Sequence, residues 1–168
     1  MTTDYDLQRL SVRVGQHLLA AGARLATAES CTGGWIARCI TDVAGSSQWF
    51  DGGFVTYSNA AKRRDLGVPQ TMLDREGAVS EPTVRAMARG ALARTGIEVA
   101  IAVSGIAGPD GAVAGKPVGT VWFAVAQRRG KAIEVTAHLK TFRGDREQVR
   151  RKAVQFGLKM LLDVAFIQ

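Results

Sequence analysis

Histidine is scarce in this sequence, with His17 and His138 alone in 168 residues, and so is cysteine, with only Cys31 and Cys39. Neither histidine falls in a glycine-rich loop, which argues against a Ser-His-Asp triad and against a cysteine activated by an imidazole. Two cysteines and two scattered histidines also make a poor ligand set, so no metal is expected. If both cysteines lie on one helix, they sit ~12 Å apart, too far for a disulfide, and reduced thiols are expected. No apolar run approaches the ~18 residues of a membrane span. The opening "MTTDYDLQRL" lacks a basic segment followed by an apolar one, the mark of a secretory signal. The expectation is a cytoplasmic protein with no membrane partner.

What the chain does have is 46% hydrophobic and 22% charged residues, enough for one soluble domain over 1–168 with a substantial core. A formal charge of +7 favours an anionic partner: nucleic acid, nucleotide or phosphorylated metabolite. The basic residues are scattered, with no stripe interleaved with aromatics, so nucleic acid is not the expected one.

Periodicity divides the chain. Leu7, Leu10, Val14 and Leu18 fall at near-helical spacing, which predicts a helix over 6–20. A strand over 23–30 follows, then a helix over 33–45 carrying Trp35, Ile36, Cys39, Ile40 and Val43. A strand over 49–58 bends at Gly52-Gly53 and leads to a short helix, "NAAKRRDLGV". Ser80 as N-cap and Pro82 in the first turn open a helix over 80–96. "IEVAIAVSG" (97–105) has the length and β-branched content of a buried strand. After a Gly/Pro loop (105–117), residues 118–142 read as a hairpin turning at Arg129-Gly130, and a helix over 145–166 closes the chain. This order predicts an α/β protein, a three-layer α/β/α sandwich on a mixed, mostly parallel sheet.

In such sheets ligands gather at the carboxyl ends of strands. Three hydroxyl- or glycine-rich stretches fall there: "ESCTGG", "TYSNAAK" and "SGIAGPDG". Ser30 reads either as a nucleophile or, with Thr32 as the other candidate, as the cap of the helix that follows, and local sequence favours the cap. Cys31 reads as a small, half-buried apolar side chain. The serine is not in G-x-S-x-G, because Ala28 replaces the first glycine. "GAVAGKP" is too short for a P-loop, and "SGIAGPDG" does not match G-x-G-x-x-G. Lys62 is the base candidate, although an unperturbed amine is only about 0.04% neutral at pH 7. Desolvation, helped by Arg63 and Arg64, would have to lower its pKa. Tyr57 is placed to relay a proton between Ser30 and Lys62. Taken alone, Lys62 reads as a surface lysine, and composition and spacing make the dyad possible and no more.

"TAESCTGGWIARCITDVAGSSQWFDGGFVTYSNAAKRRDLGV", "GAVSEPTVRAMARGAL", "SGIAGPDG" and "KPVGTVWFA" closely resemble the nicotinamide-nucleotide amidase family, that of the C-terminal domain of the competence-associated CinA proteins. The resemblance runs from about residue 6 to the closing helix. It implies hydrolysis of the carboxamide of nicotinamide mononucleotide to nicotinate mononucleotide and ammonia, a step of pyridine-nucleotide salvage, without metal or other cofactor. Carried over by motif, it implies Ser30 as nucleophile, assisted by Lys62 and Tyr57. Backbone N–H groups around Cys31, Thr32, Gly33 and Gly34 would hold the oxyanion. Ser104, Gly105, Ile106, Ala107 and Gly108 would approach the nucleotide, with Thr120 beside them. Arg143 and Arg146 are candidates for the phosphate, although an arginine-rich helix start reads first as a solvated face; Trp35, Trp49 and Trp122 could stack on the pyridine but read first as core or interface residues. A homodimer is expected. The alternatives are a non-catalytic nucleotide- or nucleic-acid-binding module and an amidase for another small amide.

Overall fold

Side chains of different size on the two faces of each central strand set the architecture. The computed structural model describes residues 2–166. Its elements are α1 (Asp4–Ala20), β1 (Leu25–Glu29), α2 (Trp35–Thr41), a 3-10 turn (Ser46–Gln48), β2 (Phe50–Val55), α3 (Asn59–Leu66), α4 (Gln70–Glu76), α5 (Glu81–Thr95), β3 (Val99–Gly105), β4 (Thr120–Arg129), β5 (Ala132–Thr141) and α6 (Arg146–Leu162). The five strands form one sheet in the order β2-β1-β3-β4-β5. The pairs β1-β2 and β1-β3 are parallel, and β3-β4 and β4-β5 antiparallel. Four strands therefore run one way and β4 alone runs against them, the mixed α/β/α arrangement expected.

One face of the sheet presents Leu25, Val99, Ile101, Val103, Val121, Phe123 and Val125 to α1, α2 and α6. The other presents Ala26, Ala28, Ala100, Ala102, Ala124 and Ala126, and α5 packs on it with Val84, Met87, Ala88, Ala91 and Leu92. Alternation with period two is thus concealed in the sequence, because both faces are apolar and differ only in volume. The alanine face lets α5 lie close to the sheet, and α3 and α4 pack on the same side. At Gly90 of α5 a Cβ would stand 2.0 Å from the Leu66 carbonyl oxygen, so two helix backbones nearly touch there.

Several boundaries differ from those expected. α4 is not expected at all: Pro69 precedes it without a side-chain cap, and Leu73 is its one buried residue. α2 starts at Trp35 rather than Gly33, because Gly33 and Gly34 take left-handed backbone (φ +63 and +93) that ordinary residues avoid. Cys31 therefore lies in the turn before α2, not on it, and both cysteines are free and buried. β2 runs on through Gly52-Gly53, and its irregularity lies just before them, where the register against β1 shifts between Phe50 and Gly52. A Cβ at Gly53 would stand 2.4 Å from Thr27 Oγ1 on the neighbouring strand.

Replacing Gly90 by alanine, ordinarily favourable by ~1 kcal/mol in a helix, is expected to destabilise this protein by about 1–3 kcal/mol. A fall in the urea midpoint at unchanged slope checks it; an unchanged or raised midpoint would show that α3 moves aside freely.

Candidate active site

The parallel strands deliver their carboxyl ends to one place. Glu29, Val55 and Val103 are in register across β2-β1-β3, so the residues that follow emerge side by side. Ser30 N–H donates to the Val103 carbonyl (3.0 Å) and Thr56 N–H to that of Glu29 (2.8 Å). Ser58 caps α3, its side chain accepting from Ala61 N–H, and this sends Lys62 back toward the strand ends.

Lys62 is not a surface lysine. It is 1% exposed, and its Nζ lies 2.9 Å from Ser30 Oγ, 2.8 Å from the Thr56 carbonyl oxygen and 3.3 Å from that of Tyr57. Two carbonyls accept two N–H bonds, so in the neutral amine the lone pair is left for the serine hydroxyl. Burial lowers the Lys62 pKa to about 8, against a small opposing effect of Cys31. Arg63 and Arg64 do not contribute as expected, since both are exposed and Arg64 is paired with Asp65.

The cap expected of Ser30 belongs to another residue. Glu29 is fully buried, and its carboxylate accepts from Thr32 Oγ1 (2.6 Å) and from the N–H groups of Gly34 (3.1 Å), Ile36 (3.0 Å) and Ala37 (2.8 Å). Burial raises its pKa, while these four hydrogen bonds pull the other way. Burial, then the Glu29 charge, pushes the Cys31 thiol up to about 12, far from the range of a reactive thiolate.

A cavity of about 260 Å³ lies over the pair, lined by Ser30, Cys31, Tyr57, Lys62, Ser104 to Gly108 and Arg146, together with Ala78, Val79, Asp110 and Gly111. Most of the expected site residues are therefore brought together, with five exceptions. Thr120 is buried with its hydroxyl on the Pro117 carbonyl, and Arg143 is exposed outside the cavity. Thr32, Gly33 and Gly34 line a separate cavity with Trp35 and Arg150. Of the expected oxyanion donors, Gly33 N–H is engaged by the Ser30 carbonyl and Gly34 N–H by Glu29. Among the described residues those of Cys31 and Thr32 donate to no other residue.

Tyr57 is also placed differently from the relay expected. Ser30 and Lys62 touch directly, and the Tyr57 side chain turns outward, 58% exposed. Its hydroxyl accepts from Arg146 Nη2 (2.8 Å), whose Nη1 donates to the Gly108 carbonyl (2.8 Å). Trp49 is core and Trp35 stacks on Arg150 and Arg151; neither they nor Trp122 line the cavity. Sequence reasoning missed Glu29 and Arg150, whose partners are mostly backbone atoms. The one available signal for Glu29 was a charged residue ending an otherwise apolar strand.

A hydroxyl held by a buried amine at parallel strand ends, beside unused backbone N–H groups, has a geometry compatible with serine–lysine nucleophilic chemistry. The CinA C-terminal domain model matches residues 7–165, and the chain belongs to that family. The nicotinamide-nucleotide amidohydrolase PncC of Escherichia coli strain K12 is 55% identical over 159 residues, 95% of this chain and 94% of that protein. The protein of the same name from Pseudomonas putida is 52% identical, over 92% of this chain and 94% of its own. The crystal structure of the competence/damage inducible protein CihA from Agrobacterium tumefaciens matches with TM-score 0.89 at 42% identity, covering 98% of both chains. No helix of the described residues is long and apolar enough to cross a membrane.

The Lys62 amine is expected to titrate near pH 8 in the folded protein, read from its ε-carbon shift in 13C-labelled lysine spectra. A midpoint above 10 would show that the cavity does not desolvate it. Cys31 should resist iodoacetamide at pH 8 unless the protein is unfolded.

Proposed function

We propose that this protein hydrolyses the carboxamide of nicotinamide mononucleotide to nicotinate mononucleotide and ammonia, with Ser30 as nucleophile and Lys62 as its base. The observation that carries the chemistry is the 2.9 Å contact of a buried amine with the serine hydroxyl. The substrate is supported by the amidohydrolases to which the chain is 52–55% identical.

In this reading Ser30 Oγ attacks the amide carbon and its proton passes to neutral Lys62. With a pKa near 8 about a tenth of the amine is neutral at pH 7, roughly 250 times more than for an unperturbed lysine. The negative oxygen of the tetrahedral intermediate takes the free N–H groups of Cys31 and Thr32. Lys62 then gives its proton to the departing nitrogen, and ammonia leaves an acyl-Ser30. Water, deprotonated by the same amine, hydrolyses that ester. Tyr57 and Arg146 at the cavity rim hold the phosphate end of the substrate, where a guanidinium and a phenol supply donors. The glycine loop 104–111 packs along the nucleotide. No step calls on a metal. The working form is read as a cytoplasmic homodimer of one domain per chain, and sedimentation measures the dimer.

A non-catalytic nucleic-acid-binding role is the other reading of the positive charge. Ammonia release from nicotinamide mononucleotide decides between them. Ser30→Ala and Lys62→Ala are expected to lose at least about 10³-fold in kcat, whereas Cys31→Ala keeps most activity. Loss in Cys31→Ala with retention in Ser30→Ala would overturn the serine assignment. No wild-type turnover, with salt-sensitive DNA binding, would favour the binding module. The base must be neutral, so kcat/KM should rise with pH through about 8 and level above it; a flat profile from pH 6 to 9 contradicts a lysine base. Arg146→Ala should raise KM for the mononucleotide about 10- to 100-fold and leave hydrolysis of the phosphate-free nucleoside nearly unchanged. An equal loss on both substrates places the phosphate elsewhere.

A further inference from the structure

The turn that carries Ser30 is held from both sides. Glu29 holds its amide side, through Thr32 Oγ1 and the N–H groups of Gly34, Ile36 and Ala37. On the other side, Arg150 of α6 reaches back across more than a hundred residues of sequence. Its Nε donates to the Cys31 carbonyl (3.1 Å) and its Nη2 to the Thr32 carbonyl (3.0 Å). The guanidinium itself lies over the Trp35 ring, 5.3 Å from its centroid.

These two contacts fix more than two oxygens. Gly108-Pro109 holds the one cis peptide bond among the described residues, so the peptides of this turn are trans and planar. In a trans peptide the carbonyl and the following N–H point opposite ways. Drawing the Cys31 carbonyl toward Arg150 therefore turns the Thr32 N–H away from it. Drawing the Thr32 carbonyl the same way turns the Gly33 N–H inward, where it closes onto the Ser30 carbonyl (3.0 Å). That last bond aims the Ser30 carbonyl into the turn and the Cys31 N–H out of it. Arg150 lines the cavity shared by Thr32, Gly33 and Gly34, whereas Ser30, Cys31 and Lys62 line the other. The turn is the wall between them, carbonyls on the Arg150 side.

We propose that Arg150 is a positioning residue for the reaction: by gripping two successive carbonyls from behind, it aims the Cys31 and Thr32 N–H groups at the oxyanion formed on the far side of the wall. This rests on the reading of Ser30 as nucleophile given above. A lysine replaces it only in part, because one ammonium does not offer two fixed, coplanar N–H bonds. Arg150 donates to the carbonyls of Cys31 and Thr32 and makes no hydrogen bond to Ser30 Oγ or Lys62, so it reaches them through the turn.

The test compares wild type, Arg150→Ala and Arg150→Lys in ammonia release from nicotinamide mononucleotide. In parallel, a small fluorophosphonate measures Ser30 directly: the Oγ–P bond forms, the P–F bond breaks, and fluoride leaves while the proton passes to Lys62. Arg150→Ala is expected to lose about tenfold or more in kcat, with KM within about twofold and a parallel fall in labelling rate. Methylguanidinium should partly restore both, and Arg150→Lys should fall between. Wild-type kcat in Arg150→Ala, a rise in KM alone, or a loss in folded variants that methylguanidinium does not relieve overturns the proposal. Should Arg150→Ala not fold, Arg150→Lys decides: reduced kcat at unchanged KM supports it and wild-type kcat overturns it. Labelling of wild-type Ser30 without turnover of the mononucleotide removes the proposed substrate alone, and the variants' labelling rates then decide on Arg150. Neither turnover nor labelling in wild type removes both.

Discussion

Sealing an amine where three strands end imposes a cost on the fold whenever that amine is protonated. Lys62 has two backbone carbonyls and one hydroxyl around it, and no carboxylate among its hydrogen-bond partners, so its positive charge is desolvated without a counter-ion. With a folded pKa near 8 and an unfolded one near 10.5, the unfolded chain binds more protons between those values. Stability therefore rises with pH across that window, and the full cost is present below about pH 8. A fold retains such a residue only if the core offsets it, and here the two apolar layers on the sheet do so. The same desolvation is what supplies neutral amine near neutral pH. Function and the stability penalty are thus one physical effect seen twice.

That burial depends in turn on how the sheet is built. β1 lies between β2 and β3, all three parallel, which is why Ser30 and Thr56 leave the sheet as neighbours although far apart in sequence. α3 then needs only its Ser58 cap to return Lys62 to them. On the opposite side α6 begins at the same end of the sheet. Four residues apart, one turn of helix, it sets Arg146 at the cavity rim and Arg150 behind the serine turn.

What could be read from the sequence follows this division. The strands and long helices were legible, because their apolar patterns and caps are local. α4 was not, since with a single buried leucine and no side-chain cap it is held by packing on α5 rather than by its own sequence. Ser30, Lys62 and the glycine loop could be named from strand-end composition together with the family resemblance, but their meeting could not. Thirty-two residues separate serine and lysine, and only strand order joins them. Tyr57 shows the limit from the other direction. Its neighbourhood in sequence suggested a proton relay, yet a strand end throws alternate side chains to opposite sides, and its hydroxyl goes out to Arg146. Arg150 was illegible because its partners are two carbonyls 118 and 119 residues away.

The serine before the double glycine read locally as a helix cap, and in one respect that reading was sound: the helix is capped by a side chain from this motif. The cap comes from Glu29, whose carboxylate reaches the second and third N–H groups of α2 from the end of β1. A serine used as a cap would have its oxygen occupied by those donors and turned away from Lys62. Moving that duty one residue upstream, to a longer side chain that only a left-handed Gly33-Gly34 turn brings within reach, leaves Ser30 Oγ to the amine. It also uses the Gly34 N–H and closes the Gly33 N–H onto Ser30, so that the donors left over are those of Cys31 and Thr32, next to the proposed nucleophile. The glycines serve the geometry of the turn and the glutamate satisfies the helix. The serine is spared from structural work, which is the condition for its hydroxyl to be chemically available.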